Sequence, residues 1–78
     1  MKITINKDQQ RINFNTHVAT IITIAQQTAE QGVANFNYHV PRGLGFGCYE
    51  LLREVEKQTD ESVCGSYSNG TINFCIQN

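Results

Sequence analysis

From Ala34 to Val40 the chain alternates apolar and polar side chains. Ala34, Phe36, Tyr38 and Val40 share one face, and Asn35, Asn37 and His39 share the other. A period of two over this length predicts a strand buried on one side. Pro41 ends it, because proline has no N–H for ladder pairing. The same alternation occurs twice before it, at Ile3 and Ile5 and at Ile12 and Phe14. A turn near Asp8–Gln9, or a loop from Lys7 to Gln10, would place both apolar pairs on one face. The expectation there is an N-terminal hairpin.

The period changes after Phe14. Val18, Ile21, Ile22, Ala25 and Ala29 follow i, i+3, i+4, i+7 and i+11, a helical stripe. Asn15 or Thr16 would cap it, and Gly32 would close it at C′. The β-branched run Thr20–Ile24 lowers the intrinsic helix preference without removing the stripe. Cys48, Leu51, Leu52 and Val55 repeat the helical spacing, predicting a second helix to about Thr59. The segment from Glu61 onward holds the strongest local signal in the chain. Asn69–Gly70 is the preferred pair for a two-residue hairpin turn. That turn sets Tyr67 opposite Ile72, Gly65 opposite Phe74, Val63 opposite Ile76 and Cys64 opposite Cys75.

The predicted order is ββαβαββ in one domain spanning residues 1–78. The fold class is α+β, a two-layer sandwich. A largely antiparallel five-stranded sheet carries both helices on one face. Seventy-eight residues leave only a thin core. The outer sheet face would then carry Thr4, Asn6, Asn13, Asn15, Asn35, Asn37, His39, Cys64, Ser66, Asn73 and Cys75. It is nearly uncharged, where an ordinary solvated surface uses more lysine and glutamate. One reading is a wetted face; the other is a contact surface for a partner or a second copy, with Asn13, Asn15, Asn35, Asn37, His39 and Asn73 as the interaction residues.

Charge narrows the choice. Six Lys and Arg stand against seven Asp and Glu, a net charge of −1. The basic residues are scattered, so no phosphate-binding patch forms and no nucleic-acid partner is expected. No apolar run reaches the 18 or so residues that suggest a membrane span, and the first ten residues lack a signal peptide's apolar core. The expectation is a cytoplasmic chain with reduced thiols at Cys48, Cys64 and Cys75, since disulfides are rare in that compartment.

"HVPRGLGFGCYE" is the candidate ligand loop. Arg42, Gly43, Gly45 and Gly47 stand between a strand and a helix, where backbone N–H groups and the helix dipole can hold an anion. The spacing is neither that of the Walker loop nor of the dinucleotide fingerprint. It resembles the Arg/Gln-x-x-Gly-x-Gly/Ala motif of the acetyl-CoA-dependent N-acetyltransferase superfamily, matched by Arg42, Gly45 and Gly47. That resemblance implies a grip on the pyrophosphate of CoA. It covers six residues; most members of that family have chains nearly twice as long. The plainer reading of the loop is a tight strand-to-helix corner.

The other chemistry is sparse. Cys48 at a helix start is either a nucleophile, with His17 or His39 as base, or a small apolar side chain of the helical stripe. Cys64, Cys75 and His39 could converge on the outer face, but zinc-knuckle spacing is absent, so no metal is expected. No cofactor is expected either. The leading reading is a small non-enzymatic protein-interaction module, acting through a polar sheet face or edge and able to form a homodimer. Its size class suits accessory or inhibitor proteins of phages and mobile elements. The alternative is an acetyltransferase-like phosphate- or CoA-binding domain.

Overall fold

The computed structural model describes residues 1–77. Helix α1 spans Lys7–Glu30, strand β1 Asn35–His39, helix α2 Cys48–Gln58, strand β2 Val63–Ser68 and strand β3 Thr71–Ile76. The three strands form an antiparallel sheet in the order β1-β3-β2. The class is α+β with two helices, but the order is αβαββ and the sheet has three strands, not five.

The correction lies wholly in the N-terminal quarter. Residues 2–14 do not form a hairpin. Lys7–Asn15 belong to α1, and Met1–Asn6 lie outside any helix or strand. Asn6, not Asn15 or Thr16, caps the helix: its Oδ1 accepts from the Gln9 N–H at 3.0 Å. Asp8 in the first turn favours the positive end of the helix dipole. Lys7, Gln9, Gln10 and Arg11 are good helix formers, and the stripe through Val18 extends back to Phe14 at i−4. Two short alternations separated by polar residues cannot compete with a continuous helix. The β-branched stretch is accommodated within it. The hydroxyls of Thr16, Thr20 and Thr23 donate to carbonyls four residues back, at 2.8, 2.9 and 2.9 Å.

The remaining elements follow their patterns. β2 and β3 pair in the register set by the Asn69–Gly70 turn, with Cys64 opposite Cys75 and Gly65 opposite Phe74. Both turn residues have positive φ, +50° and +76°, as the primed hairpin turn requires. β1 pairs with β3, Phe36 opposite Phe74 and Tyr38 opposite Ile72. The rings of Phe36 and Phe74 stack with centroids 4.9 Å apart. α2 packs over β2 and β3, and α1 lies against β1 and α2. Between these layers Ile21, Leu51, Val55 and Ile72 are wholly buried. Cys48 packs against this core from its edge. Among the described residues no helix is long and apolar enough to cross a membrane.

Candidate functional site

Two surfaces carry the candidate residues: the outer face of the sheet and the glycine loop before α2. On the outer face the register builds three rows. Asn35, Cys75 and Cys64 form one, Asn37, Asn73 and Ser66 the next, and His39, Thr71 and Ser68 the third. None of the nine carries a carboxylate, an ammonium or a guanidinium. Short polar contacts knit the face together. The Cys75 thiol donates to Asn35 Oδ1 at 3.1 Å, and the Gln77 amide donates to Cys64 Sγ at 3.0 Å. All three cysteines are free.

Asn13 and Asn15 do not belong to this face. Both lie on α1; Asn13 Oδ1 accepts from the Gln9 side-chain amide at 3.0 Å, and Asn15 is exposed. Their removal follows from the helix that replaces the expected hairpin. His39 sits in the row farthest from the two facing cysteines. Among the described residues no three His, Cys, Asp or Glu side chains gather as a metal-ligand set.

Both flanks of the sheet are open. In the β1–β3 ladder the N–H groups of Ile76 and Val40 donate to Ala34 and Gly70, at 2.7 and 2.9 Å. The even-numbered residues of β1 therefore bond to β3. The odd-numbered ones, Asn35, Asn37 and His39, turn their backbone N–H and C=O outward. By the same parity, with Gln77 donating to Ser62 at 2.7 Å, β2 turns Val63, Gly65 and Tyr67 outward. Tyr67 shares the face of Val63 by strand parity, but it is half exposed because β2 is an edge strand; it meets Tyr49 of α2 edge-on at 6.5 Å.

The glycine loop is a fixed corner. Gly43 and Gly45 have φ of +85° and +84°. The Gln10 side-chain amide on α1 donates to the Leu44 carbonyl at 3.2 Å. A Cβ on Gly45 would fall 1.7 Å from Gln10 Nε2. The N–H of Gly47, which precedes α2, donates to the carboxylate of Glu50 at 2.8 Å. That carboxylate occupies one of the backbone donors at the helix N-terminus, where an anion would dock. Arg42 is exposed at the rim. Phe46 turns inward, edge-on to Phe14 at 5.2 Å and to His17 at 5.8 Å. Beside it Lys7, Arg11, Phe14 and Glu50 border an open groove of about 410 Å³.

His17, Tyr38 and Phe46 form a cluster that sequence reasoning did not bring together. His17 Nδ1 and the Tyr38 hydroxyl share a hydrogen bond from α1 to β1. Burial raises the Tyr38 pKa above its ordinary value. His17 thus ties a helix to a strand. No spacing in the chain signals it, because the two residues meet only through the tertiary fold. Gln10 and Glu50 were also missed as loop partners; a glutamate three residues after the N-cap Gly47 was the readable sign of the second.

No family model, no curated protein and no solved structure matches this chain.

Proposed function

We propose that this protein is a non-enzymatic interaction module whose contact surface is the outer face of the sheet and its open edge at β1. One observation carries the reading: nine adjoining face positions, from Asn35 to Cys75, hold no Lys, Arg, Asp or Glu, beside a row of unpaired backbone groups. Natural edge strands are usually guarded by lysine, proline or a bulge. Asn35, Asn37 and His39 offer none of these guards, and this is the geometry used when an extended segment adds to a sheet. Asn35, Asn37, His39 and Asn73 are the interaction residues; Asn13 and Asn15 stand apart on the helix.

The loop of Arg42, Gly43, Gly45 and Gly47 supports the phosphate- or CoA-binding reading less well. Its first free donor is taken by Glu50, and its second glycine is packed against Gln10. The test is a set of amide NMR spectra, recorded against protein concentration and against added CoA or inorganic phosphate. Concentration-dependent shifts centred on residues 35–39 and 71–75 are expected. Shifts confined to residues 42–50 on adding CoA or phosphate would replace this reading with the other.

A further inference from the structure

The segment Met1–Asn6 lies outside any helix or strand, yet its side chains alternate as a strand's do. Ile3 and Ile5 are 84% and 66% exposed and alternate with Lys2, Thr4 and Asn6. That is the pattern of a strand buried on one side, with nothing in its own chain to bury it. Among the described residues no backbone hydrogen bond joins residues 1–5 to the sheet. We propose that residues 2–5 of one chain add to the open edge of β1 in a second copy, and that the exchange is reciprocal.

The two surfaces fit in period and in chemistry. A strand beside β1 alternates between the helix side and the outer face. On the helix side it would meet Phe36 and Tyr38, both only half buried, where Ile3 and Ile5 find apolar neighbours. On the outer side Lys2 and Thr4 would lie beside Asn35, Asn37 and His39. The β2 edge suits the arm less. Its middle inward position is Gly65, and the Tyr49–Tyr67 pair already stands over that flank.

The arm does not pair with its own β1. Helix α1 begins at Lys7, directly after the extended Asn6 (φ −74°, ψ 100°), and β3 is the only strand paired with β1 among the described residues. Residues 1–5 are all exposed, so their side chains are open to another molecule. A net charge of −1 gives two copies little repulsion. A reciprocal exchange about a two-fold axis buries twice the area of a single arm–edge contact, and stable interfaces begin at about 1,200 Å².

This inference rests on the edge reading above, and the experiment separates the two. Light scattering behind size exclusion, under reducing conditions and from about 1 to 500 µM, reads the molar mass of four proteins. These are the wild type, the double variant Ile3→Asp/Ile5→Asp, Asn37→Pro and Ile12→Asp. Asn37→Pro removes an N–H that faces outward, so the internal ladder is intact; circular dichroism checks each fold. The wild type should move from 8.8 kDa toward twice that mass as concentration rises. The arm variant and Asn37→Pro should stay at the monomer mass, and Ile12→Asp, altered at an exposed α1 position, should still dimerise. A dimer that survives the arm variant but not Asn37→Pro overturns the exchange and keeps the edge reading. A dimer that survives both overturns both. A wild type that remains monomeric at the highest concentration overturns the exchange and leaves the edge for a different partner.

Discussion

Gly65 sits on the inner side of β2 with no room for a side chain. A Cβ there would lie 2.1 Å from the Asn73 carbonyl oxygen, a backbone atom that cannot swing aside. Gly65→Ala should therefore lower stability by about 2 kcal/mol or more, measured by urea unfolding. Tyr38 offers a test by pH. Its neutral phenol is favoured in the folded state because burial raises its pKa. The associated stability is complete below the unfolded tyrosine value of about 10 and is lost as pH rises through the folded value. The urea midpoint should fall as pH rises above about 10, and less steeply in Tyr38→Phe. Such residues were unevenly legible in the sequence. Cys48 as a core-facing thiol could be read from its place in a stripe. The Gly65 contact and the His17–Tyr38 bond could not, since each depends on a neighbour brought close by the sheet.

At the level of elements, the hairpin β2–β3 was legible to the residue, because a two-residue turn determines its own register. β1 and α2 were legible for a similar reason: a clean period bounded by Pro41, the glycines and Thr59. The start of α1 was not. Ile3, Ile5, Ile12 and Phe14 alternate as strands do, and only the Asn6 cap and the run of helix formers after it argue otherwise. The two readings are separable by mutation. Asn6→Ala should cost about 1 kcal/mol through loss of the cap. Asn15→Ala, exposed in mid-helix, should stay within about 0.5 kcal/mol. The loop before α2 gives a third check. Gly45→Ala forces a left-handed backbone at +84° on alanine and should cost about 1–2 kcal/mol, whether or not the loop meets a ligand. Arg42→Ala, at an exposed rim, should leave stability nearly unchanged.

On the scale of the whole molecule, a single thin core holds two helices to three strands, so no layer survives alone. Leu51→Ala, at a wholly buried site between the layers, should cost about 2–5 kcal/mol and unfold a marginal chain. The strand order was beyond the sequence, because nothing local says which strand lies in the middle. That the middle strand is β3 also governs how the fold is assembled in time. β1 and β2 do not pair with each other, and Asn35 is forty residues from its partner Cys75. The tight hairpin closes within about microseconds, while β1 must close a long loop onto an edge that already exists. In stopped-flow experiments, replacing Asn69–Gly70 with Ala–Ala should slow refolding, whereas Phe36→Val should mainly quicken unfolding. During synthesis, then, β1 emerges from the ribosome long before Thr71–Ile76 and must wait with both its edges bare.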